Sequence, residues 1–207
     1  MSDFTRDAES CRAEKVALRG QLLALRRSKT PDTLADAATR LQQALESHVR
    51  HQSPTVIATY VPIGAEPGGP DLLEALRRAA PTASVLLPVL MPDGDLDWAP
   101  YEGRSSLRPG PRGLLEPAGP RLGTAAVSEA ELVVVPALAV DRRGIRMGRG
   151  GGSYDRALAR VPVTTFTVAL LHDGELLAEV PAEPHDRRVH AAITPGEGLS
   201  ERLDWTK

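Results

Sequence analysis

"ELVVVPALAVDRRGIRMGRGGGSYDRALAR", residues 131–160, decides the fold of this chain. It opens as an unbroken apolar run, crosses a loop of arginine and glycine, and resumes as a short helix beginning at Ser153. A run without polar alternation reads as a central strand covered on both sides. A strand, a tight loop and a helix in that order form half of a βαβ unit, so the sheet is expected to be mostly parallel. The loop then falls at the carboxyl end of a strand, where open α/β sheets bind their ligands. Within residues 141–160 there are five glycines, and six arginines stand against two aspartates. Glycine lets backbone amides approach a ligand closely, and arginine adds a fixed planar cation. An anion, and first of all a phosphate, fits such a loop at a helix N-terminus.

Three better-known phosphate or nucleophile patterns are excluded by single residues. A Walker loop requires Lys where Gly152 stands, a dinucleotide loop starting at Gly148 requires glycine at Ser153, and a nucleophile elbow around Ser153 requires glycine at Asp155.

Working outward, the same alternation continues. Residues 55–61, 83–90, 164–171 and 187–194 read as strands, and residues 69–80 as a helix opened by Gly-Pro-Asp. The N-terminal 5–28 segment reads as an amphipathic helix with Cys11, Leu18, Leu22 and Leu25 on one stripe. Lys15, Arg19, Arg26 and Arg12 line one edge of it, which by itself is a solvated helix face. A second helix starts with Thr30 as cap and Pro31 in the first turn, and ends near His51. Residues 100–128 are rich in Gly, Pro and Arg and read as a surface excursion or lid. The expected architecture is a single-domain, three-layer α/β/α fold over residues 1–207 with a mostly parallel central sheet.

Composition narrows the partners. With 207 residues, 42% hydrophobic and 25% charged, the chain can bury one good core. Two Trp, three Tyr and two Phe offer little for bases to stack on, and the net charge is −2, so nucleic acid is not an expected partner. No apolar run approaches the ~20 residues needed to span a bilayer, and the charged N-terminus is no export signal. The single cysteine, Cys11, excludes an internal disulfide. A cytoplasmic monomer is expected.

Other constellations are weaker. Asp155 and Asp186 are candidate ligands for a divalent cation, but each alone reads as a helix-start or turn acid. "MPDGDLDW" (91–98) has acids at alternate positions, yet a calcium loop from Asp93 would need glycine and glutamate where Trp98 and Arg104 stand. His48 and His51 read as helix exterior, His172 as the end of a strand, and no histidine spacing supports zinc. Glu66, in a Gly/Pro loop after a strand, can accept hydrogen bonds from ring N–H groups or simply stay in water.

Taken together, "PALAVDRRGIRMGRGGGSYDRAL" (136–158) resembles the signature of the 5-formyltetrahydrofolate cyclo-ligase family, roughly P-x-[aliphatic or Gly]-x-F-D-x-x-G-x-R-L-G-x-G-x-G-Y-Y-D. Lys15-x-x-x-Arg19, "YVPIGAEPGG" (60–69), "GLLEP" (113–117) and "PHD" (184–186) resemble further family motifs in the same order. The resemblance implies an enzyme that uses ATP and Mg2+ to convert 5-formyltetrahydrofolate, a reduced folate, to 5,10-methenyltetrahydrofolate. It implies phosphate contacts and a catalytic role for Lys15, Arg19 and Arg149. It implies a nucleotide loop of Arg146, Met147, Gly148, Arg149, Gly150, Gly151, Gly152, Ser153 and Tyr154. Folate would touch Arg19, Val61, Glu66 and Arg149 to Tyr154, and Asp155 and Asp186 would hold the metal; Arg12 and Arg26 inherit no role. Ser153 replaces the first tyrosine of the family's pair, Met147 a leucine, Val140 an aromatic and His190 an aspartate. A non-catalytic folate or nucleotide binder of the same fold, and a kinase or sugar-phosphate enzyme using the same loop, remain alternatives.

Overall fold

The computed structural model describes residues 3–201. Helix α1 (Asp3–Arg27) precedes α2 (Pro31–Gln52), whose cap Thr30 accepts a hydrogen bond from the Thr33 N–H. The central sheet takes β1 (Val56–Ala58), β2 (Ser84–Leu90), β3 (Leu96–Pro100), then, after the hairpin β4 (Leu107–Pro109) and β5 (Leu115–Pro117), β6 (Leu132–Pro136). A small sheet holds β7 (Ala139–Asp141) and β8 (Arg146–Met147). The chain returns to the large sheet with β9 (Phe166–Leu170), adds β10 (Leu176–Leu177) to the small one, and ends with β11 (Ala191–Thr194) and β12 (Gly198–Glu201). Helix α3 (Leu72–Ala79) links β1 to β2, and α4 (Ser153–Leu158) lies between β8 and β9.

The seven strands run in the order β12-β11-β9-β6-β1-β2-β3. The five inner strands are parallel, and antiparallel β3 and β12 close the two edges. Leu41, Leu45 and Val49 of α2 and Leu72 and Leu76 of α3 pack on one face against Ile57, Leu132, Val134 and Val168. Ala157 and Leu158 of α4, with Val127 and Ala130, cover the other face over Val133, Val135 and Ala169. The expected three layers are present because the inner strands are apolar on both sides. Helix α1 packs elsewhere: Leu22, with Leu18 and Leu23 beside it, meets Ile145, Met147 and Val180 at the small sheet. No described helix is long and apolar enough to cross a membrane.

Several expectations are corrected. The run 131–140 is two strands, not one; after Pro136 the chain leaves the large sheet, and Ala139–Asp141 joins the small sheet. Residues 59–61 are outside β1, and the buried Tyr60 donates its hydroxyl hydrogen bond to the Pro67 carbonyl at 2.6 Å. The last expected strand starts at Ala191 and is followed by an edge strand the sequence did not reveal. Of the expected α1 stripe, Leu22 is buried but Leu25 is 61% exposed. His48, expected on the helix exterior, is buried with its ring tilted by 31° against Phe166, the centroids 4.6 Å apart, and burial lowers its pKa. Segment 100–128, expected as a surface excursion, contains β4 and β5, and Glu116 accepts from the Leu90 N–H at 2.8 Å, which ties the hairpin to the large sheet.

Candidate active site

The chain moves from β1 outward to β2, and β6 enters on the opposite side of β1. That makes the β1/β6 boundary the switch point, where the loops beyond the strand ends part and leave a crevice. A cavity of about 290 Å³ lies there, lined by Tyr60, Val61, Ile63 and Glu66 after β1 and by Pro136, Ala137 and Leu138 after β6. Leu90, Leu96, Leu114 and Leu115 make most of its remaining wall apolar, and Gly148–Asp155 close one side. A smaller cavity of about 110 Å³ lies across the glycine loop, lined by Lys15, Arg19, Arg146, Met147, Asp155, Glu183, His185 and Asp186. Arg146, Gly148, Gly150, Gly152 and Asp155 border both.

The loop owes its shape to buried Asp141 at the end of β7. Its Oδ1 accepts from the N–H groups of Arg143 and Ile145 at 2.9 and 3.0 Å, and its Oδ2 from the Arg143 guanidinium and the Val180 N–H. This pins the reversal into β8 and delivers Arg146 to the cavities. Gly152, with φ of 68°, makes the left-handed turn into α4 that a β-carbon would disfavour. Ser153 Oγ donates to the Gly94 carbonyl at 2.5 Å, so the hydroxyl that replaces an aromatic ring anchors the loop to the β2–β3 turn. Arg160 holds Asp95 of that turn through two hydrogen bonds of 3.0 and 2.5 Å and depresses the Asp95 pKa. The acidic 91–98 motif is therefore structural.

Charge in the smaller cavity is paired. Lys15, 4% exposed, donates to Asp186 at 2.5 Å and Glu183 at 2.8 Å. Burial alone would lower its pKa, but the hydrogen bonds to these two acids outweigh it and raise the pKa. Glu183 is correspondingly depressed, first by its bond to Lys15. Arg146 donates to Asp155 Oδ1 at 2.8 Å and to the Pro136 carbonyl at 3.2 Å, while its buried Nε has no partner among the described residues. Arg19 Nε donates to the Gly148 carbonyl at 3.0 Å. In the larger cavity Glu66 Oε1 pairs with Arg149 at 3.0 Å, and its Oε2 accepts from the Ile63 N–H. Tyr154 presents its ring to this cavity, but its hydroxyl is buried without a partner, and burial raises its pKa far above the ordinary value.

The structure thus brings Lys15, Arg19, Arg146, Met147, Asp155 and Asp186 to the smaller cavity and Val61, Glu66, Arg149 and Ser153 to the larger one. Asp155 and Asp186, 31 residues apart in sequence, border one space. Each is neutralised by a cation, and among the described residues no group of three or more His, Cys, Asp or Glu could hold a metal. Sequence reasoning missed Glu183, three residues before Asp186, and also Arg26. Far from solvated, Arg26 is 4% exposed and lines the larger cavity.

Cavities at the switch point of a parallel sheet, one apolar and one charged, define an α/β protein that binds small molecules across its strand ends. The chain belongs to the 5-formyltetrahydrofolate cyclo-ligase family, a family of enzymes, whose sequence profile matches residues 11–195. It is 40% identical over 190 residues to the 5-formyltetrahydrofolate cyclo-ligase of Mycolicibacterium smegmatis, covering 89% of this chain and 95% of that one. The Escherichia coli K12 protein of the same name is 30% identical over 179 residues, 83% of this chain and 95% of the other. The fold is shared with the 5,10-methenyltetrahydrofolate synthetase of Aquifex aeolicus, with a TM-score of 0.73 at 23% identity over 93% of this chain and 95% of that one. The corresponding Mycoplasma pneumoniae structure gives 0.69 at 18% identity, covering 86% and 97%.

Proposed function

We propose that this chain couples ATP cleavage to ring closure of 5-formyltetrahydrofolate, yielding 5,10-methenyltetrahydrofolate, ADP and phosphate. One observation carries the reading: a single glycine loop is the common wall of an apolar cavity with an acid at its rim and a charged cavity holding three cations. A flat heterocycle in the first would meet a polyphosphate in the second across that wall.

An amide oxygen is a poor leaving group until it carries a phosphoryl group. The formyl oxygen attacks the γ-phosphorus, forming a C–O–P linkage as ADP departs. N10 then bonds to the formyl carbon and gives up its proton, and phosphate leaves with the C–O bond, so the methenyl cation remains. The residues position the reactants and neutralise charge, as phosphoryl transfer requires. Lys15, Arg19 and Arg146 take phosphate oxygens, Glu66 accepts from the pterin N–H groups, and Val61 and the Tyr154 ring flank the heterocycle. Binding of the pterin at Glu66 frees Arg149, which is then available to the transferring phosphoryl group.

The two carboxylates fit magnesium as a donor set: hard oxygens, too few to cage the ion, leaving positions for water and substrate phosphate. Asp155 and Asp186 would hold it, and it would supply charge neutralisation across the phosphates. The lone Cys11 suits a reducing cytoplasm.

The test mixes the protein with 5-formyltetrahydrofolate, with and without MgATP, and follows methenyl absorbance in the near ultraviolet together with ADP. Product is expected only with both ligands, and Asp155→Asn is expected to lower its rate by about 100-fold or more with the fold intact. Binding of folate and nucleotide without ADP release would leave a non-catalytic binder. ADP formation that does not need the folate would make the chain a different phosphotransferase.

A further inference from the structure

Arg26 sits one helical stretch beyond Arg19, at the floor of the larger cavity. Its guanidinium is locked: Nε and Nη2 each donate to Glu175 at 2.7 Å, and Nη2 also donates to the Ala137 carbonyl at 2.6 Å. Glu175 is itself buried and accepts from the His172 N–H at 2.8 Å. The His172 ring reaches the Ala65 carbonyl through Nε2 at 3.0 Å, so Nε2 carries the hydrogen. Ala65 adjoins Glu66. One buried frame, Arg26–Glu175–His172, therefore fixes Arg26 relative to the loop that bears Glu66. Among the described residues nothing accepts from Arg26 Nη1, yet it is not among the fully buried polar atoms that lack a partner. On a residue only 4% exposed, the open side of that nitrogen is the cavity.

We propose that Arg26 Nη1 is the hydrogen-bond donor for the ring carbonyl, O4, of the pterin, and makes this site select a 4-oxo over a 4-amino ring. The proposal rests on the folate reading above. A reduced pterin presents, side by side, the 2-amino and N3–H donors and the O4 acceptor. A carboxylate such as Glu66 answers the first two and repels the third, so an apolar cavity needs a donor next to it. Three other donors at this cavity are committed or withdrawn, and Arg149, which also lines it, turns to the phosphoryl group in the reading above. The Tyr60 hydroxyl is given to the Pro67 carbonyl, the Tyr154 hydroxyl is buried away from open space, and Arg146 serves Asp155. Arg26 is a cation whose bonds to Glu175 hold its free N–H in one direction, so a ring carbonyl there gains a charge-assisted bond and an amino group meets a donor head on.

Equilibrium binding of 5-formyltetrahydrofolate and of its 4-amino counterpart is measured by calorimetry on the native chain and on R26M/E175Q. The double variant removes both buried charges together, since losing Arg26 alone would strand Glu175, and Gln keeps an acceptor for His172. The 4-amino ring also alters the edge facing Glu66, so the readout is the change in preference between the two proteins. The preference for the 4-oxo ligand is expected to fall by about 10- to 100-fold in the variant, with MgATP affinity unchanged. Should the double variant not fold, Arg26→Lys, which keeps a charge for Glu175 but loses the fork, must lower the same preference at least about tenfold. A preference within about twofold of the native value in the folded variant overturns this role for Arg26 while leaving the cyclo-ligase reading intact. If the native chain binds neither folate, both fall together.

Discussion

A single methyl group placed at Gly148 should disable the site without touching the fold. A β-carbon there would lie 2.7 Å from Arg146 Nη1 and meets no other residue closely. Elsewhere an arginine tip would swing aside at little cost. Here the side chain is 3% exposed, tied to Asp155 at 2.8 Å and to the Pro136 carbonyl at 3.2 Å, so relief means giving up those bonds. A hydrogen bond to a charged partner is worth about 1.5–3 kcal/mol, which is a factor of roughly 10 to 100. Gly148 is not in the left-handed region, so alanine adds no backbone strain. Gly148→Ala is therefore expected to lower kcat/KM for methenyl formation by about 10- to 100-fold. Its Tm should fall by no more than about 3–12 °C, since for a domain this size each kcal/mol of that loss moves Tm by about 2–4 °C. Gly20→Ala is the control: nothing lies within 4 Å of a β-carbon there, so activity should hold and stability rise by up to about 1 kcal/mol. Turnover of Gly148→Ala within about twofold of native would show that Arg146 is free to move, and the account of its fixed position would fail.

Two further outcomes follow from burial and charge. The Glu183 pKa is depressed below its ordinary 4.5, so its bond to Lys15 stabilises the fold above that pH and is lost as the carboxylate protonates on the acid side. Urea midpoints of Glu183→Gln should accordingly lie below native at pH 7 and converge with native as pH falls below 4.5; parallel curves would mean that the pair contributes nothing. Leu45 is fully buried between α2 and the sheet, on the face away from α4, so Leu45→Ala should cost about 2–5 kcal/mol and lower Tm by about 5–15 °C. Its kcat at 25 °C should stay within about twofold of native, and a loss of activity without a loss of stability would contradict a purely packing role.

What the sequence displayed is what depends on neighbours along the chain. The cap at Thr30, the apolar inner strands and the loop-to-helix passage at Gly152–Ser153 are local, and the structure has them. Sequence reasoning missed the burial of His48, expected on the helix exterior, although it continues the Leu41 and Leu45 face of α2 at helical spacing. Arg26 was not legible. Helical periodicity set it beside Lys15 and Arg19, but its partner Glu175 lies 149 residues away and only folding joins them. The charge of Asp155 and Asp186 was visible as well, whereas their present partners, Arg146 and Lys15, belong to geometry. A row of cations on a helix edge looks the same whether it faces water or acids from another part of the chain.

The broken strand explains why these arginines gather where they do. Apolar continuity through Pro136–Val140 hid the break, because residues 137–138 are as buried as the strands that flank them. Once β6 leaves the ladder, the carbonyls of Pro136 and Ala137 lose the strand partners that would have taken them, and buried carbonyls need donors. Arg146 takes the first and Arg26 the second. Each guanidinium has donors to spare after satisfying the backbone, and the break that created the need also opened the crevice beside it. The same two carbonyls that end the central strand thus orient one arginine toward the charged cavity and the other toward the apolar one. A residue that restored the ladder through 137–138 would remove the reason for both arginines to point inward, which ties ligand recognition here to where the strand stops.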